Sequence, residues 1–190
     1  IERGRWSTSP KEDFILRYVS QRESLKSLLE TRGIKRVGIE FPIFNDLWSE
    51  GMYGLFLYSC EALRSCDCDV VFWTTMQVKA HARETIVRPK GWKMEKPDMV
   101  EAAKTDTGGG VWNHNEADAY LVSRLSARFW KFYDGDLSEG DLTPTELLYF
   151  TRTHKVKRGA NAGKILKTGM MYREDDRFFL WSNNLEKSNA

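Results

Sequence analysis

The chain contains few cysteines, the residues that cross-link many small proteins through disulfide bonds. Only three of its 190 residues are cysteines, Cys60, Cys66 and Cys68. An odd number of cysteines without paired CxxC spacing argues against a disulfide framework and against a zinc site. We therefore expect reduced thiols of the kind found in intracellular proteins.

Long apolar runs and a strong net charge are also missing. No stretch approaches the roughly 20 consecutive apolar residues that a membrane span needs. The formal net charge is only +2, which excludes a polycation that binds nucleic acid over its whole surface, so any such contact must come from a local patch. What the chain does have is 41% apolar and 13% aromatic residues, enough for one well-buried core.

Apolar periodicity divides the chain up to Tyr133 into short strands and longer helices. Helical spacing predicts helices at 14–29, 50–65, 97–104 and 115–133. Apolar or alternating runs predict strands at 1–8, 34–40 and 68–73. Because the crossovers are long enough for parallel strands, this order predicts an α/β fold.

The composition changes after Tyr133. Residues 134–141 are acidic and rich in turn formers, and residues 143–150 begin with a capping box that predicts a short helix. The segment 154–168 is basic and contains no acidic residue. We expect a core over 1–133 and a small C-terminal extension over 134–190 that carries this basic segment.

Two carboxylates are placed where they can meet. Glu40 ends the apolar strand, and Asp118 lies in the first turn of the last core helix. Sites in α/β proteins form at the carboxyl ends of strands, and paired carboxylate oxygens suit a hard divalent cation such as Mg²⁺. The pattern is typical of metal-assisted phosphodiester cleavage. Each residue also has an ordinary explanation, as an exposed strand end or as an acid favoured by the helix dipole.

Neighbouring polar residues extend this candidate site. Asn115 lies three residues before Asp118 and so shares its helix face, whereas His114 and Glu116 are poorer candidates by the same spacing. Lys79 follows a strand and Lys96 precedes a helix, and either lysine could hold a scissile phosphate.

Other residues suggest contacts to nucleic acid. Phe41 and Phe44, in the segment after Glu40, could stack on bases or simply seal that loop onto the core. Lys104 adds to the basic character that suits contacts to a phosphate backbone. In the C-terminal extension, we expect a DNA arm to contact Lys155, Lys157 and Arg158.

Taken in order, these segments resemble the RuvC family of Holliday junction resolvases, within the RNase H-like superfamily. The strand that ends at Glu40 resembles the family strand that carries a catalytic glutamate, and residues 50–63 resemble the long helix that follows. The remaining matches are Val70–Trp73 followed by Gln77-Val78-Lys79, the helix start Lys96–Val100, and the closing segment Asn115–Ala119. The resemblance spans about residues 1–133 and implies an RNase H-like fold with a mixed central sheet flanked by helices.

The resemblance also implies a function. It predicts a homodimeric, Mg²⁺- or Mn²⁺-dependent endodeoxyribonuclease that binds branched DNA and nicks four-way junctions during DNA recombination and repair. Glu40, Asp118 and Asn115, together with an aspartate upstream of Ile1, would hold two metal ions for two-metal hydrolysis of the phosphodiester, and Lys79 and Lys96 would steady the phosphate. Such an enzyme is expected in the cytoplasm, or in the host cytoplasm if a phage encodes it.

Two departures from the family pattern leave alternatives open. The family's first strand, which carries a catalytic aspartate, would precede Ile1, and Asn115 stands where the family usually has Asp or His. Another RNase H-like nuclease, acting on flaps or RNA–DNA hybrids, is one alternative. A non-catalytic junction-binding protein that kept the fold is the other.

Overall fold

The computed structural model describes residues 13–41, 50–89, 91–110 and 112–151, together with four short strands of the C-terminal segment. In these ranges the chain forms six α-helices: α1 (Phe14–Arg32), α2 (Glu50–Ser65), α3 (Thr75–Arg83), α4 (Lys96–Thr107), α5 (His114–Tyr133) and α6 (Pro144–Thr151). Strands β1 (Arg36–Phe41) and β2 (Asp69–Thr74) pair in a small parallel sheet. Two antiparallel pairs follow, formed by β3 (Thr153–Lys155), β4 (Ile165–Lys167), β5 (Arg173–Glu174) and β6 (Arg177–Phe178).

The chain forms two compact units. The first unit comprises residues 1–37 and 43–70, and the second comprises residues 38–42 and 71–190.

In the first unit, α1 packs against α2. Gly54 lets the helices approach closely, because a Cβ atom there would lie 2.8 Å from the ring of Tyr18. The Tyr18 ring also lies against Tyr58, with 5.7 Å between ring centroids. Helix α1 ends at Arg32, and its C-cap residue Gly33 adopts the left-handed conformation that glycine tolerates best.

The second unit has a core built on β2 and α5. Trp73 is fully buried and lies 5.9 Å from the rings of both Phe129 and Phe150. Phe150 belongs to α6, so residues after the predicted boundary at Tyr133 share this core. The division at 133/134 was predicted from composition, and it stays a prediction.

Two local differences from the sequence-based prediction bear on the candidate site. Residues 75–83 form helix α3, where no helix was predicted from the sequence. Thr74 caps α3, and Gln77 completes a capping box. Helix α4 also continues to Thr107, three residues beyond the predicted end, and Gly108 terminates it in the left-handed conformation.

Some expectations fall outside the described residues, among them the strand predicted at 1–8 and most of the basic segment 154–168. The three cysteines are free thiols, and burial raises the pKa of Cys60 to about 11. Among the helices that the structure describes, none is both long enough and apolar enough to cross a membrane.

Candidate active site

Glu40 lies at the carboxyl end of β1, with its side chain exposed. The hydroxyl of Thr75, the first residue of α3, donates a hydrogen bond to Glu40 Oε1. Since α3 begins where β2 ends, this bond joins the ends of two neighbouring strands. The Glu40 carboxylate is therefore held at the sheet edge where ligands of α/β proteins bind.

A close approach at Gly38 brings α5 against β1. A Cβ atom on Gly38 would lie 1.8 Å from Ser126 Oγ, so only glycine fits. The Ser126 hydroxyl is fixed from both sides, since it accepts a hydrogen bond from Trp73 Nε1 at 2.8 Å and donates one to the Val122 carbonyl at 2.7 Å. No movement of Ser126 could make room without breaking these bonds.

This contact has a direct consequence for Asp118. Gly38 and Glu40 are two residues apart on a strand and so point to the same face. Ser126, Val122 and Asp118 are successive positions four residues apart on α5 and share one face of the helix. Packing Ser126 on Gly38 therefore directs Asp118 toward Glu40.

The electrostatics of Asp118 agree with this placement. Its side chain is half-buried. Burial raises the pKa of Asp118, and the negative charge of Glu40 raises it further. The positive charges of Lys79 and Lys96, and of His114 when protonated, act in the opposite direction. No hydrogen bond or ion pair to Asp118 is found within the described ranges.

The two lysines reach this site from different helices. Lys79 lies on α3 and is half-buried, while Lys96 is the first residue of α4 and is exposed. Both charges act on Asp118. The structure thus brings together four residues predicted from the sequence, from four separate elements: Glu40, Lys79, Lys96 and Asp118.

The first turn of α5 holds the remaining candidates. Asn115 is exposed, and its assignment as a ligand stays a prediction. His114 lies four residues before Asp118, a spacing that places both on one face of α5, and its charge acts on that carboxylate. The ranking of His114 as a poorer candidate overlooked this spacing. The Glu116 side chain instead accepts a hydrogen bond from the Asn113 backbone, as part of a capping box at the start of α5. Of the three, His114 is the residue that the electrostatics associate with Asp118.

The carboxylates of Glu40 and Asp118 are oxygen donors of the kind that divalent cations such as Mg²⁺ prefer. Two carboxylates lie near enough for one to raise the pKa of the other, and a cation between them would remove that repulsion. Mg²⁺ is commonly held by one or two carboxylates and several waters. Within the described part of the chain, no three acidic, histidine or cysteine residues form a metal-binding cluster. Glu40 and Asp118 therefore fit a hydrated cation rather than an all-protein cage.

The predicted DNA contacts are distributed unevenly. The Phe41 ring lies edge-on against Phe72, with 5.9 Å between centroids, and is half-buried. Lys104 is exposed in the last turn of α4, about 12 Å along the helix axis from Lys96. Phe44, Lys157 and Arg158 lie outside the described residues, and for Lys155 only the backbone, in β3, is described.

Three residues that shape the site were not predicted from the sequence: Gly38, Thr75 and Ser126. A glycine inside an apolar strand often marks a close backbone approach, so the pattern Val-Gly-Ile-Glu contained a signal for Gly38. The sequence Thr74-Thr75-Met76-Gln77 contained a capping-box signal for the start of α3. Ser126 had none, because Gly38 and Trp73, which it contacts, are remote from it in sequence.

Comparisons with known proteins support the fold. No family model matches the sequence, and no curated protein does. A solved structure of Thermus thermophilus RuvC matches with a TM-score of 0.52 and 16% identity, over 66% of this chain and 76% of that chain. A structure of T. thermophilus RuvC in complex with a Holliday junction substrate matches with a TM-score of 0.49 and 17% identity, over 65% and 76% of the two chains. The first likeness confirms the predicted RuvC-like, RNase H-like α/β fold.

Proposed function

We propose that this protein is a structure-selective endodeoxyribonuclease that resolves four-way DNA junctions. The observation that carries the proposal is the convergence of Glu40, Asp118, Lys79 and Lys96 on one edge of a RuvC-like fold. A fold alone does not imply a function, whereas the chemistry of these four side chains points to one. Two acidic and two basic groups are what hydrolysis of a phosphodiester requires: a cation site and a grip on the phosphate.

Glu40 and Asp118 would hold a divalent cation, Mg²⁺ or Mn²⁺. When bound, such a cation supplies an activated water and stabilises the leaving oxygen. The Thr75 hydroxyl orients Glu40 through its hydrogen bond. Asn115 would add a neutral oxygen ligand, and His114, exposed beside Asp118, offers a nitrogen ligand instead.

Lys79 and Lys96 would bind the scissile phosphate. Their charges come from two helices, α3 and α4, and both act on Asp118, where they oppose the rise in its pKa. A phosphate bound between them would be neutralised as negative charge develops during cleavage. Lys79 is half-buried, which limits its freedom and suits a positioned contact. Changing Lys79 to Ala should therefore slow turnover more than it weakens junction binding, and a pure loss of affinity would reassign Lys79 to backbone contact.

The wider assembly is part of the same proposal. A homodimer would place two such sites on one four-way junction and produce paired, symmetric nicks, as in DNA recombination and repair inside the cell. Phe41 and Phe44 would engage bases near the junction centre. Lys104, Lys155, Lys157 and Arg158 would contact the phosphates of the arms.

The decisive experiment compares a labelled four-way junction with a linear duplex of the same sequence, in the presence of Mg²⁺. We expect paired symmetric nicks in the junction only. Glu40→Gln and Asp118→Asn should each abolish cleavage while junction binding remains, whereas Glu101→Gln, which neutralises an exposed acid of α4, should behave like the unaltered protein. Cleavage of both DNAs would favour a less selective RNase H-like nuclease.

One observation also favours a second function, that of a non-catalytic junction-binding protein. The described residues supply two carboxylates, not a three-acid cluster, which would suit a non-catalytic protein that binds junctions. Tight junction binding with no nicks in Mg²⁺ or Mn²⁺ would identify that protein and refute the nuclease.

A further inference from the structure

Asp98 is the most heavily bonded acidic side chain near the candidate site. It is the third residue of α4, and only 6% of it is exposed. Asp98 Oδ1 accepts a hydrogen bond from Arg88 Nε at 2.9 Å. Asp98 Oδ2 accepts one from Trp92 Nε1 at 3.1 Å and one from the backbone N–H of Glu95 at 2.9 Å.

These hydrogen bonds connect the segment that precedes α4 to the first turn of α4. Arg88 and Trp92 precede the helix, and the Arg88 guanidinium lies 5.9 Å from the centre of the Trp92 ring. Glu95 is the N-cap residue, so its bond to Asp98 closes the first turn of the helix. Lys96 is the residue between that cap and Pro97. Its backbone is therefore fixed by contacts that all end on one carboxylate.

The charge state of Asp98 supports this role. Hydrogen bonds from the Glu95 backbone and from Trp92, together with the Arg88 charge, lower the pKa of Asp98. The carboxylate thus stays ionised, and both oxygens stay acceptors, across the pH range in which nucleases work.

We propose that Asp98 is a positioning residue, which fixes the first turn of α4 so that Lys96 stands beside Asp118 at the scissile phosphate. The proposal rests on the proposed function of this site and adds a residue that does not itself contact the substrate. Asp98 acts through Lys96, and the loss of its bonds lets the α4 start move away from Asp118.

Glu101 provides a matched control. It shares Arg88 with Asp98, since Arg88 also pairs with the Glu101 carboxylate. Glu101 is exposed, lies one turn further along α4, and contacts neither Trp92 nor the Glu95 backbone. Glu101→Gln therefore removes one partner of Arg88 but keeps the hydrogen bonds of Asp98 that hold the first turn of α4.

The kinetic test uses Asp98→Asn, which keeps the shape but points an amide N–H₂ at groups that are themselves donors. We expect a roughly tenfold or larger fall in kcat for junction cleavage, with junction affinity within about twofold, and Glu101→Gln unchanged. In a Lys96→Ala background, Asp98→Asn should cause no further fall, because its effect passes through Lys96. Multiplied losses in the double variant would overturn the proposal and make Asp98 a general stabiliser.

A second test needs no cleavage. Lysines labelled with ¹³C-methyl groups report their surroundings by NMR, and the Lys96 signal is identified by its loss in Lys96→Arg. We expect Asp118→Asn to shift the Lys96 signal in the otherwise unaltered protein and in Glu101→Gln, but not in Asp98→Asn. An equal shift in all three backgrounds would overturn the proposal. If the protein cleaves no DNA, the proposed function fails, and this test still decides the position of Lys96.

Discussion

Asp118 and Glu146 are carboxylates whose surroundings are opposite in kind. Glu146, on α6, is 1% exposed; Arg128 donates to both of its oxygens, at 2.9 and 2.8 Å, and the Thr143 backbone donates at 3.0 Å. Burial alone would raise the pKa of Glu146, but these bonds outweigh burial and the pKa is lowered. Asp118 is half-buried, faces the like charge of Glu40, and has a raised pKa.

The difference marks Glu146 as a structural carboxylate and supports the proposal that Asp118 is a functional one. Glu146 is satisfied by the protein itself and fastens α6 to α5. Asp118 faces the like charge of Glu40, and no close ion pair with Lys79 or Lys96 is found among the described residues, an arrangement that costs stability and that a bound cation would relieve. Perturbed carboxylates of the second kind cluster at functional sites.

The largest change in the free energy of unfolding should follow from breaking the ion pair between Arg128 and Glu146. Arg128→Ala leaves Glu146 buried without its cation, and we expect the free energy of unfolding to fall by about 3 kcal/mol, near the low end for buried pairs because Arg128 is partly exposed. Urea denaturation measures this. Lys131→Ala, an exposed cation on the same helix, is the control and should change stability by less than about 0.5 kcal/mol. A loss no larger than the control's would mean that Glu146 is not held by Arg128.

The close approach beside Asp118 should be nearly as sensitive. Gly38→Ala places a Cβ atom 1.8 Å from Ser126 Oγ, and overpacking of this kind costs about 1–3 kcal/mol. Ser126→Gly in the same protein should recover part of the loss by removing the clashing side chain. At Gly140 an added Cβ atom would meet its nearest neighbour at 3.6 Å, so Gly140→Ala should be tolerated. Equal tolerance at both glycines would contradict the packing of α5 on β1.

His81 should make the free energy of unfolding depend on pH. It is 2% exposed; it faces Glu84 at the C-cap of α3, Glu146 from α6, and Arg124 and Arg128 from α5. Burial lowers the pKa of His81, and the arginines lower it further. The unfolded chain therefore binds a proton first, so stability is complete above the ordinary histidine pKa of about 6.5 and declines as the pH falls, by at most about 1.4 kcal/mol per pH unit.

Unfolding free energies measured between pH 7.5 and 5 test this dependence. His81→Leu should flatten the decline, whereas His114→Gln, which alters an exposed histidine, should leave it unchanged. An identical decline in His81→Leu would assign the pH dependence to other groups.

The smallest effect should have the opposite sign. Asp118→Asn removes the repulsion with Glu40, and we expect unfolding in a metal-free buffer to require about 0.5–1 kcal/mol more. Because the folded pKa of Asp118 is raised, the stability it contributes is present below the unfolded pKa of about 3.9 and is lost as the pH rises. The advantage of Asp118→Asn should thus shrink as the pH falls toward 4. A loss of stability at neutral pH would show that Asp118 is satisfied like Glu146.

The sequence predicted these two environments unequally. The capping box of Thr143 and Glu146 was visible from spacing, as was the helix that carries Asp118. The partner that distinguishes Glu146 was not, because Arg128 reaches it from another helix. Likewise, Glu40 and Asp118 were paired by a motif, yet their mutual repulsion depends on the Gly38–Ser126 contact. Local patterns predict elements, and close contacts between remote residues decide what each charge does.

The most direct test of the central claim is the effect of divalent cations on thermal stability. A ligand that binds only the folded state adds about 2.7 kcal/mol at a concentration 100 times its Kd, and each kcal/mol is worth about 2–4 °C in Tm for a chain of this size. We predict that Mg²⁺ or Mn²⁺ raises the Tm by several degrees relative to Na⁺ at equal ionic strength. Asp118→Asn and Glu40→Gln should lose this rise, and Glu101→Gln should keep it. An equal rise in all four proteins, or none in the unaltered protein, would contradict a cation site at Glu40 and Asp118.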